Sequence, residues 1–282
     1  MLPNVKFLNQ SYGFWAYVRA ISEKFGYTRR NTSTVSAPSE SEVMQVLREL
    51  NLGGTDIKFD NKLDARGHLI VEYFHYRADT LNNRVKGMLM DAEEARALFQ
   101  HVYGCFDPKC PLPMNKQKGE KKAKAYLTCL VNIMIESIIG DLSCDYDPRQ
   151  LTKITDGRQL LSTLSRRMDG AFPSTVNPIA IWEIKEYYYT TTFGSRIADG
   201  VYETLLDGME LRDLKADAGI HVKHYLIIDS YKTWWSGGRS YLCRILDMMH
   251  MGYVDEVVFG REVIDRIPSL ASKWCEELDV RV

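Results

Sequence analysis

Between Ile179 and Leu278 the chain alternates apolar strands with amphipathic helices, and no other feature narrows the fold as far. Ile179–Tyr188 is a β-branched and aromatic run. Ser195–Ala216 has helical spacing, with Ser195 placed to cap it. Val222–Asp229 is an apolar strand, Ser240–Met251 a helix, Glu256–Phe259 a short strand and Pro268–Leu278 a last helix. Strands separated by a helix-length crossover pair in parallel. A further strand at Ala171–Phe172 is joined to Ile179 by a Pro/Ser/Asn turn, short enough for a hairpin. The pattern predicts an α/β fold with a mixed central sheet flanked by helices.

Upstream the pattern is less regular. Ala123–Ile139 reads as a long apolar helix stopped at Gly140, and Arg158–Arg167 as a further helix. The first 110 residues read as an irregular α+β region. Helices are expected at Tyr12–Phe25, at Val43–Leu50 behind the cap Ser39-Glu-Ser-Glu, and at Asp91–Val102. Strands are expected at Asp56–Phe59 and His68–Phe74. The stretch FDPKCPLPMNKQKGEKKAK, with three prolines and a Lys-rich end, marks a boundary. This gives an N-terminal region 1–110, a linker 111–121 and a core 122–282.

Composition removes whole classes. With 45% hydrophobic and 26% charged residues the chain is neither disordered, collagen-like nor a small disulfide scaffold. Its net charge of −1 gives no global sign of a nucleic-acid partner. No apolar run reaches the roughly 18 residues of a membrane span. The opening MLPNVKFLNQSYGFW lacks a charged region followed by an apolar one, so no secretory signal is expected. Six cysteines are scattered without repeated spacing. His101, Cys105 and Cys110 find no fourth zinc ligand at finger-like distance. A reducing cytoplasm is the expected compartment.

The chemistry lies at the end of one strand. Alternate strand residues share a face, so Glu183 and Lys185 project together, on the side of Ile179 and Ile181. Ala180, Trp182 and Ile184 take the other. The strand begins apolar on both faces, as a buried central strand should, and then presents a carboxylate and an ammonium. Burying such charges is costly unless something binds there. Asp169 and Glu183 are the ligands a hard cation such as Mg²⁺ takes. The cation would polarise a scissile phosphate and acidify a bound water. Lys185 would orient or help deprotonate that water and stabilise developing charge.

The tripeptide alone decides little. Acid-x-Lys also occurs at Asp56-Ile-Lys58, Asp60-Asn-Lys62, Asp107-Pro-Lys109, Glu120-Lys-Lys122 and Asp213-Leu-Lys215. Only Asp56-Ile-Lys58 rivals Glu183-Ile184-Lys185, and no crossover helix follows it.

Asp169, thirteen residues, then Glu183-Ile184-Lys185 resembles the PD-(D/E)xK nuclease superfamily, most familiar from type II restriction endonucleases. The likeness covers about residues 122 to 260. It implies a restriction-endonuclease-like core, in which a hairpin carries the acids ahead of a crossover helix and a parallel strand. It also implies the Ile184 carbonyl as a further metal ligand and an acid on the preceding helix, for which Glu136 is the candidate. Met168 stands where the family has proline, which leaves Asp156 as an alternative first acid. Glu186, on the opposite face, reads as structural or as a pairing partner.

Basic residues supply candidate DNA contacts. Asn115–Lys124 holds five lysines against one acid, with Lys118, Lys121 and Lys122 placed to meet phosphates. Arg29 and Arg30 offer donors for phosphates or base edges. Ser195 and Arg196 open a helix where a phosphate would bind. Trp234–Ser240 lacks the Gly-Lys-Ser/Thr pattern of a phosphate loop. The expected function is a Mg²⁺-dependent, site-specific endonuclease acting on double-stranded DNA as a homodimer, with residues 1–110 contributing target recognition or dimer contacts. The alternatives are a repair or phage/viral genome-processing nuclease of the same superfamily, and a non-catalytic DNA-binding or interaction protein.

Overall fold

Glycine 170 explains how the sheet begins. A Cβ there would lie 2.1 Å from the Trp182 ring, so only glycine lets the two strands of the hairpin close over that indole. The computed structural model describes residues 1–281 apart from 9, 30–31, 54–56, 60–61, 116–122 and 190–193. The side chains of residues 59, 195 and 196 also lie outside that set.

The N-terminal part is mainly helical: α1 (Tyr12–Phe25), α2 (Glu40–Glu49), α3 (Ala65–Asp79) and α4 (Ala92–Cys105). Ser39 and Asp91 cap α2 and α4 through capping boxes with Glu42 and Glu94. Next come α5 (Tyr126–Ile139), β1 (Asp145–Tyr146), β2 (Gly170–Phe172), β3 (Ala180–Glu186), α6 (Ser195–Ala218), β4 (Lys223–Asp229), α7 (Arg239–His250), β5 (Glu256–Phe259) and α8 (Val263–Arg281). The five strands form one mixed sheet in the order β1-β2-β3-β4-β5. The first two pairings are antiparallel, and β3-β4 and β4-β5 are parallel. The expected α/β architecture is therefore present.

Two helical layers cover the sheet. α4, α5 and α8 pack on the face that carries Trp182, Ile184 and Ile227, where Trp182 stacks on Trp274 with ring centroids 5.4 Å apart. The crossover helices α6 and α7 cover the other face, over Leu226, Ile228 and Val257. Both lie on one side because successive right-handed crossovers advance the same way along the sheet. The N-terminal helices dock onto α7. Buried Arg77 of α3 donates two 2.9 Å hydrogen bonds to Asp247, which also accepts from the Tyr73 hydroxyl at 2.6 Å. Helix α4 shares its apolar cluster with α5 and the sheet, so packing runs across the Pro/Lys-rich segment 111–121 and does not divide there.

Two expected elements take a different form. His68–Phe74 is not a strand but part of α3. Asp64 caps that helix by accepting the Gly67 N–H at 2.8 Å. The buried set Ile70, Tyr73, Phe74 and Arg77 has a 3–4 residue period, which the β-prone composition hid. Arg158–Arg167 is not a helix. Lys153–Asp156 and Gln159–Thr163 form a hairpin turning at Gly157-Arg158, with Gly157 at φ 55°. A glycine at the first of the two turn positions is what a type II′ hairpin turn takes.

Candidate active site

The hairpin β2-β3 brings Asp169 beside the end of β3. Gly170 pairs with Trp182 and marks the start of β2. Beyond it, among the described residues, the β2 edge of β3 has no strand partner, and Asp169 Oδ2 accepts the Ile184 N–H at 2.7 Å. Successive peptide groups of a strand face opposite edges. The Ile184 carbonyl therefore points to the same edge as its N–H, past the start of β2. Asp156, the alternative first acid, is exposed at the tip of its hairpin.

Glu183 and Lys185 point to the α6 side of the sheet, as the alternation predicts. Lys185 Nζ lies 2.8 Å from Glu183 Oε2 and 2.8 Å from Glu203 Oε2 of α6. Three further residues complete the cluster and were not anticipated. Glu203 and Asp207 lie one helical turn apart on α6, and Arg166 comes from the loop ahead of Asp169. The Arg166 guanidinium sits 2.8 Å from Glu183 Oε1, 2.7 Å from Asp207 Oδ2 and 3.4 Å from Glu203 Oε2. The loop is held to α6 by the Ser165 N–H, donated to Glu210 Oε2 at 3.0 Å, and by Leu164 and Met168 packing on Leu211 and Leu214. Glu203, Asp207 and Glu210 follow an i, i+4, i+7 spacing. That acidic stripe is the one sequence signal that could have revealed them.

The electrostatics are those of a crowded acidic site. Burial and the neighbouring Glu183 carboxylate push the Asp169 carboxyl up to about 7. Asp207, fully buried, is likewise pushed to about 7 by burial and by Glu183, against the pull of Arg166. Burial opposes charge on Lys185, yet Glu183 and Asp169 hold its ammonium above the ordinary lysine value. In this arrangement Lys185 is a charged donor, suited to orienting and stabilising an anion and not to accepting a proton. Burial raises Glu203 too, but Lys185 and Arg166 bring it below the ordinary value. Four carboxyl groups thus face two fixed cations, and two of the carboxyls answer by holding protons near neutral pH.

Two oxygens of the cluster lack a hydrogen-bond partner among the described residues. Asp207 Oδ1 is buried without a hydrogen-bond partner. Glu183 Oε1, though close to Arg166, is not aligned to accept from it. Both are hard oxygens of the kind Mg²⁺ binds. Among the described residues no group of three or more His, Cys, Asp and Glu is arranged to hold a metal ion. Guanidinium and ammonium lie between the carboxylates.

Other expected site residues fall elsewhere. Glu136 does not join the cluster: α5 covers the opposite face of the sheet, and the Glu136 carboxylate accepts the Lys109 N–H at 3.0 and 3.2 Å, pinning a loop. Glu186 caps α5, accepting the Thr128 N–H at 3.0 Å. Burial pushes its carboxyl up to about 8. Arg29 pairs with Glu42 and lies over the Phe25 ring, within the N-terminal helical layer. Arg30, Lys118, Lys121 and Lys122 lie outside the described residues. Ser195 and Arg196 open α6, after Gly194, in the backbone alone.

Fold and site together define an α/β protein with a buried carboxylate–cation cluster at the end of a central strand. The chain belongs to the family described as a domain of unknown function (DUF7687), whose model matches residues 90–274. Residues 1–84 match a second model, also described as a domain of unknown function (DUF7690). No curated protein and no solved structure matches the chain. Among the described residues no helix is long and apolar enough to cross a membrane.

Proposed function

We propose that the chain is a Mg²⁺-dependent endonuclease that hydrolyses phosphodiester bonds of double-stranded DNA at specific sites, in the manner of a type II restriction enzyme. The observation that carries this reading is the Asp169–Ile184 hydrogen bond. It holds Asp169 beside Glu183 and Lys185, on a hairpin followed by a crossover helix and a parallel strand. This is the order a restriction-endonuclease-like core requires. Asp169, Glu183 and the Ile184 carbonyl would hold the metal, with Asp207 contributing its unpartnered oxygen. When bound, Mg²⁺ supplies polarisation of the scissile phosphate and acidification of a water. Lys185 orients the attacking water and stabilises negative charge at the phosphate. Charge balance supports the same reading. When all four carboxyls are ionised, the two cations Arg166 and Lys185 leave two negative charges, which a divalent cation matches. Residues 1–110 would contribute target recognition or dimer contacts, and a homodimer in the cytoplasm fits a two-fold DNA site.

Plasmid digestion tests the proposal. Defined fragments with Mg²⁺, none with EDTA, and none from Asp169→Ala, Glu183→Ala or Lys185→Ala are expected. Smears or structure-dependent nicks would point to a repair or genome-processing nuclease. Absence of cleavage across many DNA substrates, or cleavage by the triple variant, would reject the site.

A further inference from the structure

Helices α1, α6 and α7 enclose a cavity of about 350 Å³, a volume in the range of small-molecule sites. It lies on the other side of α6 from the acidic cluster. At 100° per residue, Val201 and Leu205 point away from Glu203 and Asp207. Arg19 and Tyr27 come from the segment 1–84, while Tyr202, Arg244 and Met251 come from the segment 90–274.

The wall of this cavity carries two positive charges, Arg19 and Arg244. Among the described residues no carboxylate pairs with Arg19 or Arg244. Arg19 Nη2 reaches only the Met251 thioether, at 3.3 Å, a weak acceptor. The Arg244 guanidinium is held over the faces of Tyr27 and Tyr241, 5.3 and 5.1 Å from their centroids, and touches the Tyr202 hydroxyl at 3.5 Å. The carboxylate at the floor, Asp247, is already taken by Arg77 and Tyr73, so it neither satisfies these arginines nor repels an anion. Beside them Tyr202 is 54% exposed, a large aromatic surface left open to solvent at the cavity mouth.

A guanidinium takes phosphate oxygens in a two-pronged fork, and an open tyrosine ring beside apolar side chains recognises a flat aromatic group. We propose that this cavity binds a nucleoside monophosphate, with its phosphate on Arg19 and Arg244 and its base against Tyr202. The volume admits one nucleotide and excludes a duplex. This proposal stands independently of the nuclease reading.

Isothermal titration of the full chain in EDTA tests it, with adenosine 5′-monophosphate, adenosine and inorganic phosphate as separate probes. The nucleotide is expected to bind at least about tenfold tighter than either part alone. Arg19→Gln, Arg244→Gln and Tyr202→Ala should each weaken it by about tenfold or more, while Tyr202→Phe retains it. Circular dichroism confirms that each variant is folded. No nucleotide binding up to about 1 mM, phosphate binding equal to that of the nucleotide, or indifference to both arginine substitutions would overturn the proposal.

Discussion

The Asp169 carboxyl offers a sharp test of the cluster's physics. It is held at about 7 in the folded chain against an ordinary 3.8. Below about pH 4 it carries a proton whether the chain is folded or not, and stability is unaffected. Between pH 4 and 7 the unfolded chain ionises while the folded chain keeps its proton, so stability falls as pH rises. Above 7 the full cost is present. At about 1.4 kcal/mol per pH unit the upper limit is about 4 kcal/mol. Solvent at its partly buried edge reduces that to about 2–4 kcal/mol. Asp169→Asn keeps an oxygen to accept the Ile184 N–H and removes the charge. Urea unfolding in EDTA at pH 5 and pH 8 measures the difference. The variant should gain about 2–4 kcal/mol over wild type at pH 8 and much less at pH 5. In Mg²⁺ at a thousandfold excess over Kd the order should reverse, because binding to the native wild type then adds about 4.1 kcal/mol, above the variant's gain. A variant that differs from wild type by the same amount at both pH values refutes the reasoning about the cluster. A correct pH response without the Mg²⁺ reversal leaves the electrostatics standing and removes the metal.

Arg166→Ala strips the counterion from Glu183 and Asp207. It should destabilise the chain by about 3 kcal/mol in EDTA at pH 8, with much of the loss restored by Mg²⁺ in a thermal-shift titration. Gly170→Ala drives a methyl into the Trp182 ring and should cost about 3 kcal/mol. Its tryptophan fluorescence should also change, because Trp182 must leave its stack on Trp274. Glu136→Gln should leave any DNA cleavage unaltered and cost about 1 kcal/mol, read by urea unfolding, because it weakens only the grip on the Lys109 N–H.

The parallel half of the sheet was legible because its strands are buried on both faces and its helices are amphipathic. Those two patterns left Glu183 and Lys185 conspicuous as charges in an apolar run. Asp169 was legible only through its spacing to that strand. The N-terminal helix α3 was not, because β-branched and aromatic residues are common to strands and to helix faces buried in a core. The hairpin at Gly157-Arg158 was lost for a different reason: Leu160 and Leu161 are exposed, so apolar residues there did not mark a buried face.

Arg166, Glu203 and Asp207 show why the rest of the site stayed hidden. A helical period reports which side of α6 is buried, not what buries it, and a buried stripe is ordinarily apolar. On α6 the stripe facing β3 is acidic, with Asp207 buried and Glu203 half-buried, and it is neutralised by two cations from elements distant in sequence: Lys185 on β3 and Arg166 on the connecting loop. Neither partner is encoded near the acids it neutralises, so single-residue patterns on either element read as ordinary solvated charge. Only the tertiary pairing turns them into a cluster. The same pairing makes the site conditional: any cation that enters must compete with Arg166 for Glu183 and Asp207, and the strength of that competition sets how readily the site can be filled.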